Sequence, residues 1–417
     1  MAFPKLVRIK QTFSRPLVSD VEGSVLAELE KLNLSGQVAG KRIGITAGSR
    51  GIQNIVTILR QVVQYVRQHG GEPFLLAAMG SHGGGTADGQ KEVLDSLGLT
   101  EEQVGAPVIT CAESEVIGKT REGIPAYIVK SALTLDGILV VNRVKTHTSF
   151  KGKVESGLVK KLVVGLGGPQ GAQQFHGFGS EELPRLLVEI GEVILSKLPI
   201  LGGLAIIENA YEETALIKGV TKNDFIQEES ELLVYSKSLM PSLPIDNIDI
   251  LIIGQMGKNF SGTGIDTNII GRIRIQGVPE PSRPAVKRIA VLDLSEESHG
   301  NATGIGLADF VTQRLVDKMD RQATYLNCLT STFVMRAATP IYYEDDRKLF
   351  EAIQYSLSSI PPEELRVVVI PNTLFLTECM VSEAVAKELT SREEISIVGE
   401  PEPMEFDSEN RFRLPLH

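Results

Sequence analysis

The stretch RIGITAGSRGIQNIVTILRQVVQYVRQHGGEPFLLAAMG, Arg42 to Gly80, decides the fold of this chain. It opens on one short apolar run, RIGITAG (Arg42 to Gly48), and closes on another, EPFLLAAMG (Glu72 to Gly80). Between them Ile55, Val56, Leu59, Val62, Val63 and Val66 recur at steps of three and four, which gives a helix one apolar face. The spacing predicts a helix over 53–68, ended by the Gly70-Gly71 pair, since glycine accepts the left-handed conformation that closes helices. Strand, helix and strand of these lengths make a βαβ unit, whose two strands run parallel.

The same alternation continues outward. APVITC (Ala106 to Cys111), GILVVNRV (Gly137 to Val144) and GLAIIENA (Gly203 to Ala210) read as strands, with a helix over 182–198 between the last two. A chain of 417 residues is long for one hydrophobic core, and SKSLMPSLPIDNID (Ser236 to Asp249) has two prolines and no periodicity. The boundary belongs there, giving domains 1–245 and 246–417. The second set comprises DILIIGQMG, RIAVLDLS, a helix over 306–319, ATYLNCL as a strand, a helix over 346–357, LRVVVIPN and ISIVGE. The class is α/β: two domains with parallel-rich sheets flanked by helices.

Composition narrows the function. With 42% hydrophobic and 23% charged residues the chain is an ordinary globular protein, and its net charge of -10 argues against a sequence-independent nucleic-acid binder. Cys111, Cys328 and Cys379 are odd in number and far apart, so they suit core positions better than a disulfide framework or a metal knuckle. No apolar run is long enough for a membrane helix, and MAFPKLVRIKQTF lacks the continuous apolar segment of a signal peptide. A cytoplasmic protein acting on a small molecule is expected.

Three of the six histidines, His82, His147 and His176, stand in Gly-, Ser-, Thr- and Lys-rich stretches just after apolar runs. In open parallel sheets the loops after the strands bind ligands. His82 in MGSHGGGT follows the strand ending near Gly80, His147 the strand ending near Val144, and Arg50 the strand ending near Gly48. If those strands are neighbours, one arginine and two imidazoles meet in one crevice. The glycines around His82 could cradle a phosphate or simply form a flexible turn, and Arg50 could hold a carboxylate or be a solvated cation. Lys160 suits a Schiff base, an anion contact or a cofactor tether. His299 reads as a surface-loop residue, His69 and His417 as structural or solvated, and the acidic run over 400–407 as a solvated face.

The run SGLVKKLVVG (Ser156 to Gly165) resembles the lysine-bearing segment of the nickel-dependent lactate racemase family. Arg50, His82, His147, Lys160 and His176 follow in that family's order, which identifies the chain as a divergent member. The resemblance implies a cofactor site in the crevice between two domains, holding a nickel pincer nucleotide tethered covalently to Lys160. It further implies His176 as nickel ligand, His82 and His147 as acid and base, and Arg50 as the residue that orients the substrate. Ser49 and Gly165 would line the cofactor site. From the second domain, GKNFSGTGIDTNIIGR (Gly257 to Arg272) resembles the family's Gly- and Asp-containing loop; Lys258 and Asp266 would join the site with Asn268, and Arg274 would replace a cofactor-contacting lysine.

Departures concern the substrate. Thirteen residues separate His147 from Lys160, Ala47 stands where an Asp is expected, and tryptophan is absent. The implied activity is racemisation or epimerisation of a 2-hydroxyacid by hydride transfer, the substrate being a sugar acid or dicarboxylate rather than simply lactate. Lys145, Lys151 and Lys153 favour a larger or more anionic one. The implied partners are the small hydroxyacid and the cofactor-synthesis enzymes, with a homodimer left open and neither nucleic acid nor membrane. Two rivals stand beside this reading: a zinc- or iron-dependent hydrolase or hydratase using the same histidines, and a non-catalytic cofactor-binding homologue.

Overall fold

The computed structural model describes residues 3–414, which fall into two compact units, and His417 lies outside the described residues. One unit runs from Arg15 to Met240, and the other joins the described residues up to Ser14 with those from Pro241 onward. The crossing at Met240/Pro241 falls near the expected division at 245/246, and residues 3–14 group with the unit that resumes at Pro241. The Leu6–Gln11 strand pairs antiparallel with Glu378–Ser382 on one side and Ile395–Glu402 on the other. Its burial in that sheet decides its membership.

The Arg15–Met240 unit holds a six-stranded sheet in the order Val108–Ile109, Glu72–Ala77, Arg42–Ala47, Gly137–Arg143, Ile200–Glu208, Thr214–Thr221. The first five strands are parallel and the last is antiparallel. Arg42–Ala47 lies in the interior of this sheet, with Ile45 opposite Leu75 and Leu139, and every residue from Ile43 to Ala47 is buried. That burial on both faces explains its unbroken apolar run. The predicted helix forms over Ile55–Gln68 and buries Ile58, Leu59, Val62, Val63 and Val66 in a core with Ile43, Ile45 and Leu75. At about 1.5–3 kcal/mol for each buried aliphatic side chain, this face is ample to hold the helix on the sheet. Leu183–Lys197 and Phe225–Ser238 contribute to a second core with Ile138, Val140 and Ala205.

The other unit carries an eight-stranded sheet in the order Ile341–Tyr343, Phe310–Thr312, Ala285–Leu294, Asn247–Met256, Val367–Ile370, Glu378–Ser382, Leu6–Gln11, Ile395–Glu402. Its first five strands are parallel and its last three pairings antiparallel. Two sequence expectations fail here. ATYLNCL is part of a helix, Arg321–Thr330, because the Asp320 carboxylate caps the Ala323 N–H and Thr324 and Cys328, four apart, are its buried face. The helix expected over 306–319 is confined to Gln313–Lys318, since Phe310–Thr312 is buried as a strand. No helix among the described residues is long and apolar enough to cross a membrane.

Candidate active site

Glu72–Ala77, Arg42–Ala47 and Gly137–Arg143 are parallel neighbours, so their carboxyl ends lie side by side. The loops leaving those ends carry His82, Arg50 and His147. An antiparallel bridge between Lys145 and Ser156 closes the His147 loop. Inside it the fully buried Glu155 accepts the His147 backbone N–H at 2.7 Å and pairs with Lys237 at 2.8 Å, while Lys151 Nζ donates to the His147 carbonyl at 2.8 Å. Lys151 therefore serves its own loop, which removes it from the cations expected to draw an anionic substrate.

The imidazole of His147 stacks on Phe150 with ring centroids 4.2 Å apart. Its Nδ1 accepts the Ser149 backbone N–H at 3.1 Å, and a backbone amide can only donate. The neutral ring must then carry its proton on Nε2. Nε2 lies 2.6 Å from Lys160 Nζ, so this contact is satisfied when Nε2–H donates into the lone pair of a neutral amine. The charge balance agrees. Burial pushes the Lys160 pKa down to about 7, aided by the positive charges of Arg50 and Lys161.

Lys160 ends a short turn, Leu158–Lys160, anchored from below. Glu229, fully buried on the Phe225–Ser238 helix, accepts the Val159 N–H at 2.8 Å, and Asn142 Nδ2 donates to the Gly157 carbonyl at 2.7 Å. Burial raises the Glu229 carboxyl to about 7, against the lowering pull of the Val159 and Leu158 amides. The chain continues through a wide π turn, Lys161–Gly165, into the helix Gly168–Gly177 that carries His176. Gly165 is required by proximity, because a Cβ there would lie 2.8 Å from the Ala78 carbonyl. Lys161 is only 8% exposed and reaches the Ala78 carbonyl at 3.4 Å; burial pushes its pKa down to about 8.

His176 is pushed down to about 3, by burial first and then by Lys160 and His82 when these are protonated, so its imidazole is neutral at ordinary pH. His82 is in the opposite tautomer to His147: Nδ1 donates to the Met79 carbonyl at 2.8 Å, which leaves the neutral ring's lone pair on Nε2. Its glycine neighbours serve the chain's own turn, with Gly83 packed so tightly on Gly89 that a Cβ would overlap it, and Thr86 capping the Ala87–Ser96 helix. Arg50 reaches solvent, yet its pKa is lowered by desolvation and by Arg143. Arg143 is paired with Glu208, whereas no carboxylate among the described residues pairs with Arg50.

Ser49 follows Gly48 in the turn at the end of the Arg42–Ala47 strand and is part-buried. Lys258, Asp266 and Arg274 belong to the other unit and are engaged there. Lys258 Nζ donates to the Gly262 carbonyl and to Asn327 Oδ1, both at 2.7 Å. Asp266 caps the Thr267–Ile270 turn through the Asn268 N–H, and Arg274 binds Asp309 and the Gly306 and Ala308 carbonyls. His299 is exposed in that unit at the end of the Glu296–Ser298 turn. Sequence reasoning missed Glu155, Glu229 and Arg143. Glu229 had left a signal: it shares one helix face with Phe225, Leu232, Leu233 and Ser236, where a carboxylate is out of place.

A family model described as a domain of unknown function, DUF362, matches residues 48–217. Among solved structures, the lactate racemase apoprotein of Thermoanaerobacterium thermosaccharolyticum is similar over 87% of this chain and 93% of its own, with a TM-score of 0.53 and 14% identity. A Thermotoga maritima protein solved by structural genomics is similar over 78% of this chain and 84% of its own, with a TM-score of 0.50 and 12% identity. No curated protein sequence matches. At these identities the likeness is one of fold: mixed α/β, with parallel-rich sheets flanked by helices.

Proposed function

We propose that this chain is an isomerase that racemises or epimerises a 2-hydroxyacid with the help of a lysine-tethered nickel pincer nucleotide. The observation that carries the reading is the 2.6 Å contact of Lys160 Nζ with His147 Nε2, which, with the Ser149 N–H directed at Nδ1, calls for a neutral amine. A covalent tether through a carbonyl or thiocarbonyl carbon needs a nucleophilic nitrogen, and a charged lysine has none. His176, held neutral in the same neighbourhood, has the free lone pair that a metal requires. The residues therefore fit the group: Lys160 would hold it covalently and His176 would ligate the metal. Among the described residues no three His, Cys, Asp or Glu side chains are placed to hold a metal ion. A zinc or iron site built from protein ligands gains no support from that donor set, whereas a metal carried by a cofactor needs one protein ligand.

When bound, the cofactor would supply the acceptor for the hydrogen on C2 and its electron pair. The chain's own residues supply the rest. Arg50, a solvent-reaching cation that no carboxylate pairs with among the described residues, is suited to hold the substrate carboxylate. His82, with its lone pair on Nε2, is suited to take the hydroxyl proton as that hydrogen leaves. Inversion requires a second group across the flat 2-oxoacid to return the proton, the role assigned to His147. The fold likeness to a lactate racemase apoprotein is consistent with this reading.

The test is intact-protein mass spectrometry with nickel analysis, on protein made alongside the cofactor-synthesis enzymes and compared with Lys160→Ala. A nickel-containing adduct lost in the variant is expected, followed by racemisation in a screen of hydroxyacids that includes sugar acids and dicarboxylates. No adduct under those conditions would overturn the proposal.

A further inference from the structure

The His147 arrangement is incompatible with the role just assigned to that residue for as long as Lys160 is a free amine. With the Ser149 N–H on Nδ1, Nε2 has a proton and no lone pair, so it cannot accept a proton from a substrate. Nor can it readily release one, since losing Nε2–H while Nδ1 is bare would leave an imidazolate. The Nε2 face is also occupied, with Lys160 Nζ at 2.6 Å. Resting on the tether reading above, we infer that unmodified Lys160 masks His147, and that acylation of Lys160 is the event that releases His147 for acid–base work.

The chemistry of the amine supplies the switch. Lys160 Nζ attacks the carbon of an activated carboxyl compound, an ester, thioester or acyl adenylate. The C–N bond forms, the bond to the leaving group breaks with its electron pair going to that group, and the surplus proton on nitrogen passes to water. The nitrogen lone pair is then delocalised into the new carbonyl, so Nε2–H of His147 loses its acceptor. The acylated nitrogen keeps one N–H, which can only donate. A donor facing Nε2–H is a mismatch, and it is relieved when His147 turns away from the Ser149 amide and moves its proton to Nδ1, which puts the lone pair on Nε2.

The immediate surroundings favour acylation at this lysine over others. Arg50 and Lys161 place positive charge near Nζ, and Glu155 and Glu229 accept the backbone N–H groups of His147 and Val159. Neither carboxylate pairs with Lys160, so none stabilises its charged form. Lys160 as a residue is part-exposed rather than buried.

The experiment uses the apoprotein and needs no nickel. Wild-type protein at pH 7.5 is treated with a low concentration of p-nitrophenyl acetate, and acetylation of each lysine is timed by peptide mass mapping. Diethyl pyrocarbonate, which among imidazoles modifies only a ring with an unprotonated nitrogen, then reports on His147 when the modified peptides are mapped, with His82 as internal reference. Lys160 is expected to acetylate at least tenfold faster than the median lysine. His147 is expected to react at least fivefold faster after that acetylation, and to react at the same raised rate in Lys160→Met without any acetylation. Equal His147 rates in untreated wild type and Lys160→Met would overturn the mask, as would a Lys160 no faster than the median. A nickel adduct failing to form in the mass experiment would instead strike the cofactor reading and leave these rates unchanged.

Discussion

Glu229→Gln offers a quantitative test of how the lysine turn is held. The carboxyl is fully buried, its Oε2 accepts the Val159 N–H, and its Oε1 has no hydrogen-bond partner among the described residues. Burial raises its pKa from 4.5 to about 7 in the folded chain. Below pH 4.5 both folded and unfolded states hold the proton, and the group is neutral to stability's pH dependence. Between 4.5 and about 7 the unfolded state releases the proton and the folded state keeps it, so stability falls as pH rises. Above about 7 both states are ionised and the loss is complete. At about 1.4 kcal/mol for each step of one pH, the interval amounts to about 3 kcal/mol. Most of it falls between pH 5 and pH 8. In a unit of roughly 150–250 residues this moves the thermal midpoint by about 6–12 °C. Glutamine cannot ionise, so its contribution is the same at both pH values. Its amide donors leave a constant cost at the site of Oε1, and that cost cancels when each protein is compared with itself. Urea unfolding of both proteins at pH 5 and pH 8 is the assay. The wild type is expected to lose about 2–3 kcal/mol more than Glu229→Gln across the interval, and equal losses would refute the buried-carboxyl reasoning.

Glu155→Ala removes the acceptor of the His147 N–H and of Lys237 at a fully buried position, and should cost about 2–4 kcal/mol in urea unfolding. Glu155→Gln keeps an acceptor and should recover part of that loss; no difference between the two variants would show that the acceptor is immaterial. Gly80 has φ +60, and a Cβ there would lie 2.9 Å from the Val164 carbonyl, so Gly80→Ala should destabilise by about 1–3 kcal/mol. Gly51→Ala, where a Cβ meets nothing within 4 Å, should change stability by less than about 0.5 kcal/mol.

Parallel strands bury both faces and advertise themselves as apolar runs, which is why the Arg42–Gly80 unit could be read in sequence and why its helix is found within two residues of the expected start. Antiparallel Thr214–Thr221 and Leu6–Gln11 escaped notice, because TALIKGVT and LVRIKQ mix charges into the strand and carry a weaker signal. In ATYLNCL the alternating and helical patterns overlap over seven residues, and the Asp320 cap settled the matter in favour of helix. At the candidate site, the loop side chains were singled out by their unusual neighbours: histidine among glycines, and a lysine pair. What sequence could not reveal was which way each imidazole is protonated. That depends on a Met79 carbonyl in one case and a Ser149 amide in the other, and backbone groups leave no trace in residue identity.

The strand Leu6–Gln11 has a consequence for how the chain comes off the ribosome. It is made before the Arg15–Met240 unit, whereas both its neighbours, Glu378–Ser382 and Ile395–Glu402, are made after that unit. The Arg15–Met240 unit is synthesised in between and can fold as soon as it emerges, with an unpaired strand trailing from its start. That strand reads LVRIKQ, and its two cations, Arg8 and Lys10, meet Glu378 once the sheet closes. Until then the same charges discourage it from pairing with other nascent chains, the usual hazard of an open edge. A substitution that weakens Leu6–Gln11 would burden an assembly step in a part of the sequence more than 350 residues away, so yield should respond to changes in this strand through the folding of its distant partners.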